Sequence, residues 1–257
     1  MNKKILTKIT SLKSTKYIFH PFMPLLAIKI ALNEGLELEK EVTEKIKSET
    51  LKINEKGYFR FDKDHPPDYD STLVAREILK DKLNKDSKEL KLSFSKNEGV
   101  YTYHGGLEFK KDNSVDLLIN IIILDYLIKN NFNLEYQEKL VKILISKKDS
   151  LKKRVSKVSK YYLSEGFLIY SISKVARKIG ININQLVNEK INLLENKVDL
   201  AFVILSLEEP DKILIKKYKE AKKSPLPLFQ NPSKKEEFYC SFLDEVVIKC
   251  AELKLHN

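Results

Sequence analysis

The 257-residue chain has no Trp, seven Gly, two Cys and four His. Each shortage excludes something. With so few Gly, and eight Pro, the turn density of an all-β sandwich or a collagenous repeat is out of reach, so long helices are expected. Cys240 and Cys250 stand ten residues apart in one helical stretch, on different sides of the helix and too far apart along it to bridge. They are expected to be free thiols in a reducing compartment, which points to the cytoplasm. His20, His65, His104 and His256 show no metal-ligand spacing. A phosphate-cradling glycine loop is absent, as is a G-x-S-x-G elbow. The longest apolar run, "YIFHPFMPLLAIKIAL", is interrupted by His20, Pro21, Pro24 and Lys29, which argues against a transmembrane span. The basic N-terminus lacks the uninterrupted apolar core of a signal peptide.

Arginine is the other scarce residue. The formal charge is +11, yet only Arg60, Arg76, Arg154 and Arg177 are Arg and the remaining 43 basic residues are Lys. Phosphate and base recognition favours the planar Arg fork, and the lysines alternate with Glu, as in "ELEKEVTEKIKSETLKINEK". The pattern reads as a solvated helical face, so no nucleic-acid partner is expected. Peripheral contact with an anionic membrane remains compatible with the charge.

What is present is helical periodicity. Six strongly apolar helices are expected near 21–32, 68–83, 114–130, 162–179, 197–207 and 239–254. Several are followed after a short turn by a more polar helix: "LELEKEVTEKIKSETL", "NLEYQEKLVKILISKK", "NINQLVNEKINLLE" and "PDKILIKKYKEAKK". A helix apolar nearly all round needs cover on every side, and hairpins stacked with those helices inward supply it. The expected architecture is a single all-α domain spanning 1–257. Its six hairpins either form an open superhelix or, as six inner helices favour, close into an (α/α)6 toroid.

Closure would place the inner-helix N-termini at one mouth. The segments entering there, "GYFRFDKDHPPDYDS", "VYTYHGGLEFKKDNSVD", "SKYYLSEG" and "PLPLFQNPSKKEEFYC", are rich in aromatics and carboxylates. In or near the first helical turns they lead into lie Asp68, Asp70, His104, Glu108, Asp116, Glu165 and Asp244. Acids at helix starts serve as caps, but one cap per helix suffices, and "PPDYDST" supplies Asp68 and Asp70 together. The candidate cavity is formed by Tyr58, Phe59, Phe61, Asp68, Asp70, Tyr101, Tyr103, His104, Asp116, Asn120, Tyr161, Tyr162 and Glu165.

"PPDYDSTLVAREIL" resembles the PPDxDDTxxAxxxL stretch of the terpenoid cyclase and protein prenyltransferase superfamily, particularly class II cyclases of the squalene-hopene type. "GVYTYHGG", "NSVDLLINIIILDYL", "YYLSEGFLIYSISKVAR", "PLPLFQN" and "FYCSFLDEVVIKCAEL" follow in the same order. The resemblance implies an α/α toroid and an Asp general acid that protonates an alkene or epoxide. That acid would be Asp70, tuned by Asp68. Ser71 stands where the motif has its last aspartate, the Trp-containing repeats of the squalene-type enzymes are absent, and one toroid replaces their two. The implied ligand is an isoprenoid or another apolar small molecule. No cofactor is implied, except that a diphosphate substrate would bring Mg²⁺, and a second toroid or a homodimer could complete the cavity. Two other readings stay open: a non-catalytic toroid whose mouth binds a lipid or a protein, and a helical-repeat scaffold whose Lys-rich face meets anionic partners.

Overall fold

A computed structural model describes residues 22–52, 54–55, 58–60, 67–79, 91–95, 98–103, 114–231 and 236–256. In chain order the elements are α1 (Phe22–Asn33), α2 (Lys40–Leu51), β1 (Asn54–Glu55), β2 (Tyr58–Arg60), β3 (Pro67–Asp68) and α3 (Tyr69–Leu79). Then come α4 (Leu117–Lys129), α5 (Leu134–Ser146), α6 (Lys148–Leu151), α7 (Val155–Val158), α8 (Glu165–Ile179) and α9 (Ile183–Lys190). A 3₁₀ turn at Ile191–Leu193 precedes α10 (Lys197–Ser206), α11 (Lys212–Glu220), β4 (Phe229–Asn231), β5 (Glu236–Phe238) and α12 (Ser241–His256). The chain is mostly helical, in agreement with the all-α expectation.

The helices fall into two kinds, as the periodicity predicts. In α1 every side chain from Phe22 to Ala31 is buried, and α3, α4, α8, α10 and α12 are covered on most sides. By contrast α2 buries only Val42, Ile46 and Thr50, α5 only Leu140, Ile143 and Leu144, and α11 only Leu214 and Tyr218. Those spacings of three and four place one apolar stripe per helix, enough to seat it against a neighbour while the opposite face stays in water. The buried helices pack as neighbours in the order α1, α3, α4, α8, α10, α12, and α12 returns to α1. The one-striped helices lie against them: α2 on α1 and α3, α5 on α4 and α8, α9 on α8, and α11 on α10.

Caps fix where the inner helices begin. Asp116 accepts from the backbone N–H groups of Leu118 and Ile119, Ser164 from Phe167, and Asn196 from Val198. Each satisfies donors that a helix start leaves open. Side chains at these starts also bond one another. Ser164 Oγ donates to Asp199 Oδ1 at 2.5 Å, joining the entrances of α8 and α10. Gly166 lets those two helices touch, since a Cβ there would sit 2.2 Å from the Asp199 carbonyl oxygen. The opposite ends are tied by charge. Lys29 reaches Glu77 at 2.9 Å and Asp125 at 3.5 Å, Lys129 bonds Glu77 and Asn33, and Lys174 meets Glu34.

Two small antiparallel sheets, β1–β2–β3 and β4–β5, sit in the connections and were not expected from the periodicity. Strands of two or three residues are too short to show alternation, and tertiary bonds set them. Thr72 Oγ1 accepts from the Phe59 N–H at 2.9 Å, and Phe59 pairs with Asp68, which clamps β2 to the start of α3. Among the described residues no helix is long and apolar enough to cross a membrane.

Candidate active site at the helix entrances

Asp68 and Asp70 bracket the first turn of α3, and both are buried, 3% and 1% exposed. Tyr69 between them points the other way. Its N–H donates to the Thr102 carbonyl at 3.0 Å, and its hydroxyl donates to the Lys91 carbonyl at 2.8 Å and accepts from the Ser93 N–H. That anchorage holds the α3 entrance rigid and turns both acids inward. Asp68 Oδ1 accepts from the Ser71 N–H at 2.8 Å, so Asp68 is the helix cap. Asp70 lies beyond the cap, and its Oδ2 accepts from the Tyr162 hydroxyl at 2.6 Å.

Burial and then the charge of Asp70, to which Asp68 is hydrogen-bonded, push the Asp68 carboxyl well above the usual carboxylate range. Two carboxylates confined in an apolar place cannot both ionise cheaply, which favours the protonated form of Asp68. Burial, followed by the nearby Asp70, likewise raises the Tyr162 phenol far above its ordinary value. Tyr103 is raised by burial, then by Tyr161, with Asp68 and Asp70 adding to it. The environment favours neutral acids over anions.

Aromatic rings cover the pair. Tyr162 packs edge-on to Phe229 at 4.6 Å between centroids and stacks on Phe167 at 5.2 Å. Phe229 also meets Tyr161 at 6.3 Å and Phe22 at 5.7 Å, and Tyr103 meets Tyr161 at 6.3 Å. The start of β4 and the residue before it are laid across this wall: the Leu163 N–H donates to the Leu228 carbonyl, and the Gln230 N–H to the Tyr161 carbonyl at 2.7 Å.

Of the residues expected at the mouth, Asp68, Asp70, Tyr103, Asp116, Tyr161 and Tyr162 come together. Asp116 is engaged as a connector. Its Oδ1 caps α4, and its Oδ2 accepts from Ser159 Oγ at 2.7 Å and from the Lys160 N–H at 2.8 Å. Burial raises its carboxyl, against the lowering effect of those bonds.

The others brace the entrances. Asn120 bonds the backbone N–H and carbonyl of Val100, tying α4 to the chain there. Glu165 accepts from Lys190 at 2.7 Å and from the Val155 N–H at 2.7 Å, which directs it away from the pair. Phe59 backs α3 through Thr72, Tyr58 lies under the Arg76 guanidinium at 5.2 Å, and Tyr101 pairs with Val115. Phe61, His104 and Glu108 lie outside the described residues.

Sequence reasoning missed Ser159, Phe229, Phe22 and Phe167. Ser159 Oγ donates to Asp116 and accepts from the N–H groups of Tyr161 and Tyr162, so it sets the turn that aims Tyr162 at Asp70. A Ser two and three residues ahead of the bonded amides is a readable turn signal. The three phenylalanines carry no such mark, because a ring in a wall and a ring in a core look alike in sequence. Among the described residues no group of His, Cys, Asp and Glu could hold a metal ion. No protein-family model matches the chain, and no curated protein matches it.

Proposed function

We propose that the protein is a terpenoid-cyclase-like α/α toroid that handles an isoprenoid or similar apolar alkene at the helix entrances, with Asp70 and Asp68 as its acid. The cyclic neighbour order of the six buried helices supports the toroid. The observation that carries the function is the buried Asp68–Asp70 pair set against an aromatic wall through the 2.6 Å Tyr162 bond.

An alkene is a very weak base, so its donor must stay protonated at neutral pH and yield the proton only at a bound, desolvated substrate. Asp68 and Asp70 share one proton between two oxygen-rich groups. On transfer the carboxyl O–H bond breaks, its electrons remain on the pair, and the alkene π electrons form the new C–H bond. The adjacent carbon becomes cationic and faces the rings of Tyr162, Phe229 and Tyr161, whose electron-rich faces stabilise it. A second alkene of the same chain attacks that carbon to close a ring. Loss of a proton from a neighbouring carbon to the carboxylate pair restores the acid, so the reaction is an isomerisation with no added reactant.

A second reading, a non-catalytic toroid that binds a lipid or a protein, is favoured by the little space left among these buried helices. The cavity lined by Leu26, Val74, Ile122 and Phe167 measures about 30 Å³, room for a water molecule and no more.

Incubating the purified protein with linear isoprenoids and their diphosphates, with products followed by mass spectrometry, separates the two. A cyclase yields an isomeric product that Asp70→Asn and Asp68→Asn each abolish, because the transferred proton is held between the two carboxyls. Saturable binding without any product supports the second reading.

A further inference from the structure

Asp68, Asp116 and Asp199, buried at the helix entrances, each have a buried serine beside them. Two of these couples are closed: Ser159 Oγ donates to Asp116 at 2.7 Å and Ser164 Oγ to Asp199 at 2.5 Å, and each bond lowers a carboxyl that burial raises. The couple at α3 is open. Ser71 donates its N–H to Asp68 Oδ1 at 2.8 Å, but its Oγ, in a residue only 3% exposed, has no hydrogen-bond partner among the described residues. Leaving a hydroxyl dry and unbonded destabilises a fold. A helix offers a ready remedy in the carbonyl three or four residues back, and Thr50, Ser146, Ser173 and Ser206 all take it. Ser71 does not, although Thr72 beside it is engaged with both the N–H and the carbonyl of Phe59.

The neighbour of Ser71 explains the difference. Burial and then the Asp70 charge raise the Asp68 carboxyl, and the Ser71 side chain and N–H oppose them. The hydroxyl thus lies near enough to favour the Asp68 anion without being bonded to it. A neutral carboxyl asks little of such a donor, whereas a hydrogen bond to an ion is about twice as strong as one between neutral groups. We propose that Ser71 is a positioning residue for the acid, its hydroxyl held in reserve to turn onto the Asp68 carboxylate as that group loses its proton. The Asp68 O–H bond breaks and its electron pair stays on the carboxylate, while the Ser71 O–H stays intact and changes only its direction. The new bond forms as charge develops, so it stabilises the charged state and leaves the neutral one alone. An aspartate at this position would add a third carboxylate; the serine supplies a donor. The inference rests on the pair acting as an acid and holds whatever molecule takes the proton.

Infrared titration of the carbonyl stretch that Asp68→Asn removes tests this without a substrate. The titratable groups around the pair, Tyr103, Asp116, Tyr161 and Tyr162, are all kept in Ser71→Ala. In that variant the pH at which the stretch gives way to carboxylate bands should rise by about one unit, because only the anion loses a donor. Its melting temperature near pH 5, where the carboxyl is neutral, should equal or exceed that of the wild type, since the deleted hydroxyl was unbonded. An unchanged midpoint would overturn the inference and leave the acid reading standing, whereas no protonated stretch at any pH would overturn both. A melt lowered by more than about 4 °C near pH 5 would also overturn it, marking the hydroxyl as a structural bond.

Discussion

At the scale of single residues, the carboxyl pair was legible and its surroundings were not. Two acids two positions apart at a helix start exceed what capping requires, and that surplus is visible in "PPDYDST". Which of them caps is a matter of geometry: Asp68 takes the Ser71 N–H and Asp70 takes Tyr162. Asn120 and Glu165 looked equally suited to the mouth, but they are spent on Val100 and Lys190, partners remote in sequence. Asn120→Ala would strand the buried Val100 N–H and carbonyl, and a loss of about 2–4 kcal/mol in urea denaturation is expected. Gly166→Ala should be worse tolerated than any surface change, because its Cβ would meet Asp199 backbone at 2.2 Å and separate α8 from α10. A drop in melting temperature of less than about 2 °C would show that the two helices are not in that contact.

At the scale of elements, the six buried helices lie within a few residues of the expected spans, because an apolar run of ten or more residues with a capping side chain ahead of it is a strong local signal. The connection between α11 and β4 carried no such signal. It is strapped down by bonds from Asn196 to Ser224, from Lys197 to Lys222, and from the Leu226 N–H to Asp244. Asp244 is pushed up to about 7, chiefly by burial, with Glu245 and Asp199 adding to it and Leu226 and Lys223 opposing. An unfolded Asp titrates near 3.9. Between about pH 4 and pH 7 the folded chain therefore holds a proton that the unfolded chain has released, and this carboxyl's contribution falls as pH rises through that window. Asp244→Asn should match the wild type near pH 4 and exceed its stability at pH 8 by about 2–4 kcal/mol, measured by denaturant titration at both pH values. Equal stability at pH 8 would place Asp244 in water.

At the scale of the whole molecule, the two ends of the buried helices are chemically opposite. The helix entrances gather acids whose carboxyls burial raises, Asp68, Asp116, Asp199 and Asp244, and the far end gathers lysines around Glu77. Burial alone would raise Glu77, but Lys29 and Lys129 outweigh it and hold that carboxyl below its ordinary value. Raised acids stabilise the fold as pH falls toward the ordinary carboxylate range, and Glu77 opposes this only below that range. Melting temperature should accordingly rise from pH 8 to about pH 5 and fall again below about pH 4. Six buried helices could be anticipated from six apolar segments of similar length, whereas the polarity of their two ends could not, since it depends on which side chains meet between neighbouring helices.

The central claim is that Asp68 and Asp70 retain a proton at neutral pH. Infrared difference spectroscopy at pH 7 between the wild type and Asp68→Asn tests it without a substrate. The expected difference contains the carbonyl stretch of one protonated carboxyl lost on substitution, moved by deuteration as an exchangeable O–H requires. A difference showing only the bands of an ionised carboxylate would contradict the claim, and with it the assignment of this pair as an acid.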